Sequence, residues 1–418
     1  MKLKFLGGIR EVGRSAILVN SDAASVLLDY GVMVDHEPGF PIHVSPKEID
    51  AVALTHAHLD HCGAIPLFYV NGGIPLYGTR ITFDLAKVII LDFIHLSSYY
   101  LPFEYIDLET MLSYSVGLEF GEPAKVKDLS LELLNSGHIP GGSQIIVKNQ
   151  NKCVLYTGDI NSNDTHLLKG ADQYKDKVNA LIIESTYATE DHPDRESIER
   201  EFIKSTLDVL ERGGTVLIPA FSLGRSQEIL CTLAANHLEY PITLDGMAKE
   251  VSEILMRYPN YVKDSRLLTN ALHEANWVHG WKDRRLACKK GGVVISPAGM
   301  LKGGAAMYYM NTVSKKSENA IFLVSYQIPG TPGRRLLDTK EFLVDGRMRK
   351  VKAELKRFDF SSHCGRKELM DTVKKTNIDG KVFVVHGEEE SCEKFAESIK
   401  TEFGFDAVAP KAGEVFEV

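Results

Sequence analysis

The sequence predicts an α/β protein in which one domain is inserted within another. Strand-like apolar runs, with few helices between them, dominate residues 1–188. Strand and helix patterns then alternate over residues 189–350, which is typical of a parallel sheet covered by helices. The strand pattern returns over residues 351–418, together with further candidates for the site suggested by the first segment. We therefore expect 1–188 and 351–418 to form one domain around the insertion 189–350.

Strands are predicted in the first segment wherever a compact or alternating apolar run meets a turn residue. The predicted strands are 2–6, 15–19, 25–28, 51–55, 131–134, 144–147, 153–156 and 180–183, and helical spacing predicts a helix over 81–96. So many strands with so few helices exclude a simple repeating strand–helix order.

Strand and helix alternate in the second segment. Amphipathic spacing predicts a helix over 197–211 that ends at Gly213-Gly214, and a further helix over 222–236. Strands are predicted at 215–218, 242–244, 292–295 and 320–325. The last segment is predicted to hold a strand at 351–360, a helix at 366–375 and a strand at 381–385.

Composition predicts a cytoplasmic protein with no membrane association. The sequence has no apolar leader, and no uncharged apolar stretch approaches the length of a membrane span. Its six cysteines are scattered without a Cys-x-x-Cys pair, which favours free thiols in a reducing compartment. The net charge of −8 argues mildly against broad nucleic-acid binding. Bound divalent ions would offset that charge locally, and basic residues cluster at 334–335 and 347–357. We interpret the second cluster as the solvated face of a strand rather than as a nucleic-acid contact.

A dense group of potential metal ligands follows the apolar run 51–55. It reads His56-Ala57-His58-Leu59-Asp60-His61. Alternate side chains of an extended chain share a face, and a turn after Asp60 can bring His61 round to it. Imidazole and carboxylate suit zinc, and this many ligands in six residues resemble the shared wall of two adjacent metal sites. The alternative is a chance cluster of polar loop residues.

Three other strand ends repeat this pattern, each with a potential ligand beside a glycine. They carry His138, Asp159 and His386. Ligands at strand ends stand on a rigid frame, and an adjacent glycine lets the backbone pass close to a metal. Asp29, after the strand at 25–28, has the same setting and is predicted to orient the ligand loop from behind. Taken singly, each is more typical of a structural residue.

These residues, in this order, resemble the motifs of the metallo-β-lactamase superfamily. Within it, three later stretches resemble motifs A, B and C of the β-CASP nucleases, and residues 219–228 resemble that family's inserted domain. The stretches are Glu184-Ser185-Thr186-Tyr187, Phe360-Ser361-Ser362-His363 and His386-Gly387-Glu388. The resemblance is strongest to archaeal and bacterial relatives of the endonuclease subunit of the cleavage and polyadenylation specificity factor. It implies an αββα sandwich with an inserted β-CASP domain.

The resemblance also implies the roles of individual residues. One zinc would be held by His56, His58 and His138, a second by Asp60, His61 and His386, and Asp159 would bridge the two. Glu184 and His363 would form a pair just outside the ligands. The catalytic residues would then be Asp60, His363 and Glu184. Two Zn²⁺ per chain would activate water for attack on phosphorus, and His363 would protonate the leaving 3′-oxygen.

The implied substrate is single-stranded RNA, cut to 5′-phosphate and 3′-hydroxyl products during RNA processing or decay. It would lie in the crevice between the two domains. Candidate RNA contacts are Ser222, Arg225, Gln227, Tyr326, Gln327 and Arg334. A helix cap or core packing would explain several of them equally well.

Three alternatives to an endonuclease remain open. A 5′→3′ exonuclease of the RNase J type is disfavoured by the sequence around His363. A small-molecule metallohydrolase would have its last histidine soon after the bridging aspartate, whereas His386 follows the insertion. A non-catalytic scaffold would be free to lose ligands, yet every expected ligand is present. The C-terminal residues 416–418 are a candidate edge for pairing in a homodimer.

Overall fold

The computed structural model describes residues 1–34, 37–97 and 100–418, and it divides into two compact units. The first unit comprises Met1–Asp164, Lys169–Asp191 and Ser362–Val418, and the second comprises Thr165–Leu168 and His192–Ser361. The second unit is thus inserted in the chain of the first. The main changes of unit fall at 191/192 and 361/362, whereas the sequence pattern placed them at 188/189 and 350/351.

The first unit contains sixteen described strands and five α-helices. Its strands are β1 (Lys2–Gly7), β2 (Ala16–Asn20), β3 (Ser25–Leu28), β4 (Met33–Val34), β5 (Pro38–Gly39), β6 (Ala51–Ala53), β7 (Leu76–Gly78), β8 (Ser115–Gly117), β9 (Ala124–Val126), β10 (Leu129–Asn135), β11 (Ser143–Lys148), β12 (Cys153–Tyr156), β13 (Val178–Glu184), β22 (Ile378–Val385), β23 (Asp406–Val408) and β24 (Val415–Glu417). Its helices are α1 (Leu59–Cys62), α2 (Arg80–Leu96), α3 (Tyr105–Ser113), α11 (Arg366–Lys375) and α12 (Glu389–Phe403).

Two seven-stranded sheets form the sandwich of this unit. Their strand orders are β24-β1-β2-β3-β6-β7-β8 and β23-β22-β13-β12-β11-β10-β9. Inward-facing residues of both sheets share one core, in which the rings of Phe5 and Phe383 lie 5.0 Å apart. A second core lies between the outer face of the second sheet and helices α11 and α12. The predicted αββα architecture is confirmed.

Alternation of apolar and polar residues determines which side of each sheet is buried. In β10, Leu129, Leu131 and Leu133 are buried in the shared core, while the residues between them are partly exposed. A shift of one residue in the pairing would turn this whole apolar set outward, so the pattern fixes the register. The register in turn fixes the strand ends, from which the candidate ligands project.

The second unit contains eight strands and seven α-helices. They are α4 (Arg195–Glu211), β14 (Thr215–Pro219), α5 (Arg225–Ala235), β15 (Ile242–Leu244), α6 (Met247–Arg257), α7 (Ser265–Glu274), β16 (Asn276–Trp277), α8 (Trp281–Ala287), β17 (Gly292–Ser296), α9 (Ala306–Val313), β18 (Ala320–Leu323), α10 (Pro332–Thr339), β19 (Glu341–Val344), β20 (Arg347–Lys350) and β21 (Glu354–Arg357). Six of the strands form a parallel sheet in the order β16-β15-β17-β14-β18-β21, and β19 and β20 form a separate hairpin.

The central strands of this parallel sheet are buried on both faces. Every residue of β14, β17 and β18 is buried, which explains why their sequences are continuous rather than alternating apolar runs. The predicted parallel sheet flanked by helices is therefore confirmed.

The strand predicted at 351–360 is shorter in the structure and belongs to the other unit. The observed strand β21 pairs in parallel with β18, so it completes the sheet of the inserted unit. Because β18 and β21 are about thirty residues apart, no local sequence pattern indicates that they pair. At the C-terminus, β24 pairs antiparallel with β1 of the same chain. Within the described residues, no helix combines the length and apolarity needed to cross a bilayer.

Candidate metal centre

The candidate ligands of the first unit converge at one end of the sandwich. His138, Asp159 and His386 follow strands β10, β12 and β22, which all run in the same direction, so their carboxyl ends meet at one edge. From the facing sheet, β6 leads into His56, and the one-turn helix α1 begins after His58 and carries Asp60 and His61. The structure brings together all seven predicted ligands.

One group of potential ligands is formed by His56, His58, His138 and Asp159, whose ligand atoms all lie within 4.8 Å of one another. His58 Nδ1 is 3.1 Å from His56 Nε2 and 3.2 Å from His138 Nε2. His56 and His138 are buried, with only His58 partly exposed. Three ring nitrogens thus point at one small volume inside the protein.

The hydrogen bond of His138 shows which form its ring takes. Its Nδ1 lies 2.8 Å from the carbonyl oxygen of Ser362, which can only accept, so Nδ1 carries the proton. The lone pair of Nε2 therefore points into the group. His56 has a similar outward partner, because its Nδ1 lies 3.0 Å from Thr55 Oγ1. Outer partners of this kind orient metal-binding imidazoles.

A second group is formed by Asp60, His61 and His386, again with ligand atoms within 4.8 Å of one another. His386 Nε2 lies 3.3 Å from Asp60 Oδ2. His61 donates from Nδ1 to Asp29 Oδ2 at 2.8 Å, which leaves its Nε2 facing the interior of the group. The carboxylate and imidazole donors of this group are ordinary ligands of zinc.

Asp159 lies between the two groups. Its Oδ2 is 3.5 Å from the Nε2 atoms of both His56 and His138. Its Oδ1 is 3.3 Å from His61 Nε2 and 2.9 Å from His386 Nδ1. With a relative exposure of 2 %, the carboxylate is shielded from solvent. One oxygen thus serves each group, an arrangement that suits a bridge between two cations.

The three histidines of the first group are in the neutral form that can bind a cation. Burial lowers the pKa of His58 to about 4. Burial and the neighbouring histidines together hold the pKa values of His56 and His138 well below their usual range. All three rings are therefore neutral at pH 7, and neutral imidazole is the form that binds metals.

The second group is held in a different state by its acidic neighbours. Burial opposes protonation of His61, but the carboxylates of Asp159 and Asp29 outweigh it and raise the pKa to about 10. The pKa of His386 is raised well above its usual range, since Asp159 and Asp60 outweigh the effect of burial. Protons occupy these rings where a metal would otherwise balance the carboxylates. The donor set therefore fits divalent cations.

Asp29 anchors the ligand loop from behind. Its Oδ1 accepts from the Thr55 backbone N–H at 2.8 Å. Its Oδ2 accepts from Thr55 Oγ1 at 2.8 Å and Tyr156 OH at 3.1 Å, in addition to His61. The Asp29 backbone has a φ of 56°, in the left-handed region. Such an unfavourable backbone conformation persists only where the surrounding structure enforces it, and such residues cluster at functional sites.

Position 31, two residues after Asp29, requires glycine. A Cβ atom at Gly31 would lie 1.8 Å from the Asp60 carbonyl oxygen. The backbone of α1 therefore approaches too closely for any side chain at this position. In this approach Tyr30 N–H donates to the carbonyl oxygen of His61 at 2.9 Å, which ties the ligand helix to the strand that carries Asp29.

His363 and Glu184 form a pair beside these groups. His363 Nδ1 lies 3.0 and 3.1 Å from the two oxygens of Glu184, and its Nε2 lies 4.0 Å from Asp159 Oδ2. Glu184 is fully buried and also accepts from the backbone N–H of Ile160 at 2.8 Å. Its carboxylate, with Asp159 and His386, forms a third group that could hold a metal. Burial opposes protonation of His363, but Glu184 and Asp159 outweigh it and raise its pKa.

The predicted RNA contacts all lie in the inserted unit, but in different surroundings. Gln227 and Gln327 are buried, and their amides donate to Ala248, Ser252, Gly299 and Ser325 within that unit. These side chains have no free surface for RNA, so neither is retained as an RNA contact. Ser222 and Arg225 are partly exposed, Tyr326 is 40 % exposed, and Arg334 pairs with Asp338 at 3.0 Å.

The sequence did not identify three groups that hydrogen-bond to site residues: Thr55, Tyr156 and the backbone carbonyl of Ser362. Thr55 directly precedes the histidine cluster, so its position was a usable signal. The Tyr156 hydroxyl and the Ser362 carbonyl reach the site only through pairing of distant segments. No local pattern could have identified them.

Three family models match the chain in succession. A metallo-β-lactamase superfamily domain matches residues 18–186, and a Beta-Casp domain matches residues 226–336. A domain described as a Zn-dependent metallo-hydrolase RNA specificity domain matches residues 348–410.

Among similar proteins, RNase aCSPSF2 of Saccharolobus solfataricus is 41% identical over 416 residues, covering 99% of this chain and 84% of the relative. Probable RNase MJ4 of Methanocaldococcus jannaschii is 37% identical over 430 residues and covers 100% of both chains. Transcription termination factor FttA of the same organism is 32% identical over 447 residues, covering 98% of this chain and 70% of that protein.

Proposed function

The chain belongs to the β-CASP family of the metallo-β-lactamase superfamily, and on that premise we propose that it is a two-zinc ribonuclease. It cuts internal phosphodiester bonds of single-stranded RNA and leaves 5′-phosphate and 3′-hydroxyl ends. The observation that carries the proposal is the position of Asp159, which has one carboxylate oxygen beside each of two groups of potential ligands. Similarity to proteins named as RNases supports the substrate class.

The proposed ligands divide as the two groups do. His56, His58 and His138 hold one zinc, Asp60, His61 and His386 hold the other, and Asp159 binds both. When bound, the two cations supply Lewis acidity, which activates a water molecule and neutralises charge on the phosphate. Glu184 is assigned to His363 rather than to a metal, because both of its oxygens lie within 3.1 Å of His363 Nδ1.

His363 is proposed to protonate the leaving group. In-line attack of the water oxygen on phosphorus breaks the bond between phosphorus and the 3′-oxygen. The alkoxide that forms at the 3′-oxygen needs a proton. The Nε2 atom of His363 faces the centre, since Nδ1 is held by Glu184. Glu184 and Asp159 raise the pKa of His363 and so favour the protonated ring, which is the state a general acid requires.

Residues behind the ligands hold them in position. Asp29 fixes His61 and Thr55, and the Ser362 carbonyl fixes His138. These hydrogen bonds involve buried groups, so the ligands keep their orientation without reorganising when the metals bind. In the inserted unit, Ser222, Arg225, Tyr326 and Arg334 remain the proposed RNA contacts.

A circular RNA provides the decisive test. The purified chain, with zinc content measured by mass spectrometry, should linearise a labelled circle and give 5′-phosphate and 3′-hydroxyl ends. A 5′ exonuclease would leave the circle intact and degrade linear RNA that carries a 5′-monophosphate. A protein that binds metal but cleaves neither RNA would contradict the proposal.

A further inference from the structure

The inserted unit carries an exposed tryptophan on a strongly basic segment. Residues 281–290 read Trp-Lys-Asp-Arg-Arg-Leu-Ala-Cys-Lys-Lys, with five basic residues and one acidic residue in a chain of net charge −8. Trp281, which begins α8, is 65 % exposed. Tryptophan is on average highly buried in soluble proteins, and an indole ring left open to solvent can stack on an unpaired base.

A buried carboxylate holds this tryptophan in place. Asp245, only 1 % exposed, accepts two hydrogen bonds from Arg284, at 2.7 and 3.2 Å, and one from Tyr309 OH at 2.9 Å. The Arg284 guanidinium lies 5.1 Å from the ring centre of Trp281, and the rings of Trp281 and Tyr308 meet edge to face at 5.3 Å. The indole is thus fixed on its inner side and open on its outer side.

Four of the five basic residues of segment 281–290 are available to a ligand. Lys282, Arg285, Lys289 and Lys290 are exposed, and no ion pair engages them within the described part of the chain. Arg285 lies one helical turn from Trp281 and therefore on the same face of α8. The segment follows β16, and Asp245 follows β15, so the surface lies at the carboxyl ends of two parallel strands, where ligands of such sheets commonly bind.

We propose that Trp281, Lys282, Arg285, Lys289 and Lys290 form a second contact surface for single-stranded RNA. An unpaired base stacks on the outer face of Trp281, and the basic side chains bind the flanking phosphates. Duplex RNA hides its base faces and cannot use the indole. This inference rests on the proposed function and extends it, because it assigns a grip on the substrate that does not involve the metal centre.

Tryptophan fluorescence tests the proposal directly, since Trp277 and Trp281 are the only tryptophans of the chain. The Trp277 indole is partly buried and donates to the Leu272 carbonyl at 2.8 Å, so base stacking should quench Trp281 selectively. The titration uses the full chain with Asp60→Asn to prevent cleavage, and a short oligouridylate. We expect strong quenching, its loss in Trp281→Phe, and binding weakened roughly tenfold or more in Trp281→Ala.

The charge contribution is tested by a matched pair of variants. Lys289→Gln with Lys290→Gln should lower the slope of log affinity against log salt by about 1.4, or about 0.7 for each phosphate that the protein no longer neutralises. The control is Lys374→Gln with Lys375→Gln at the end of α11, an exposed lysine pair in the other unit, which should leave the slope unchanged.

Several results would overturn the inference. They are equal affinity of Trp281→Ala and the parent protein, equal quenching by duplex RNA, and equal quenching by polyglutamate, which would indicate an acidic protein partner. Binding is measured without cleavage, so the two proposals can fail separately. Absence of nuclease activity in the parent protein would refute the proposed function but not the RNA contact surface. In a cleaving protein, Trp281→Ala should raise KM for long RNA without lowering kcat, and an unchanged KM would refute this surface alone.

Discussion

His363 and Glu184 are joined by a nearly symmetric contact, in which one ring nitrogen lies 3.0 and 3.1 Å from the two carboxylate oxygens. They are 179 residues apart in the sequence, yet both belong to the same unit. Because a carboxylate is a pure acceptor, Nδ1 must carry a proton, and Nε2 becomes the atom that can exchange one with a substrate. The contact therefore identifies Nε2 as the atom through which the proposed mechanism transfers the proton.

Glu184→Gln should slow RNA cleavage and move its pH dependence. Glu184 raises the pKa of His363, so a neutral amide lets that pKa fall, and the acid form is lost at a lower pH. The alkaline limb of the pH–rate profile should shift to lower pH, with a rate loss of about 10²-fold or more near neutral pH. Glu199→Gln, which alters a similar pair with His166 in the inserted unit, is the control. An unshifted alkaline limb would exclude this role.

His363→Ala should lower kcat by about 10²- to 10⁴-fold while the zinc content stays unchanged, since the residue is proposed to be an acid rather than a ligand. Single-turnover cleavage and metal analysis of the same sample provide the measurement. His166→Ala, which removes an imidazole paired with Glu199 at 2.9 Å, should cleave normally. Loss of a metal from His363→Ala would identify the residue as a ligand instead.

Asp29→Asn should weaken metal binding by about 10- to 100-fold. The carboxylate accepts four hydrogen bonds, and an amide replaces one acceptor oxygen with a donor that faces either Thr55 or His61. Zinc affinity is measured by competition with a chelator. Asp50→Asn is the control, because Asp50 caps the Ser25 backbone N–H in the same unit and contacts none of the proposed ligands. Equal zinc affinity of Asp29→Asn and the parent protein would rule out a positioning role for Asp29.

The strands that carry the site could be predicted because their signals are local. An apolar run, a glycine and a polar residue mark the ends of β10, β12 and β22, and the structure places His138, Asp159 and His386 there. Burial of polar residues could not be predicted in the same way. Gln227 looks like a surface residue in sequence, but it is buried and its amide nitrogen donates to groups on α6, more than twenty residues further along the chain.

Dependence on contacts between distant residues also explains why the elements of the inserted unit were predicted incompletely. Helices α6 to α9 are short, and three of them follow glycine or alanine rather than a strong sequence cap. The pairing of β19 with β20 was not predicted, because the second strand, Arg-Met-Arg-Lys, is fully exposed and has no apolar face that would indicate a partner. Regular structure that depends on contacts across the chain was thus predicted least well.

Binding of zinc should stabilise the first unit, and removal of single ligands should reduce the effect. Asp29, Asp60 and Asp159 place three carboxylates in or behind the centre, two of them almost fully buried, so a cation there gains Coulomb attraction in a shielded site as well as ligand bonds. Excess zinc at about 100 times the Kd of a site should add about 2.7 kcal/mol to the free energy of unfolding for each zinc bound. Thermal unfolding of metal-stripped protein, with and without added zinc, measures the gain. Asp60→Ala and His61→Ala should fold, gain much less from zinc and fail to cleave RNA, whereas Asp50→Asn should respond as the parent protein does. Undiminished cleavage by the metal-stripped protein would reject the metal mechanism altogether.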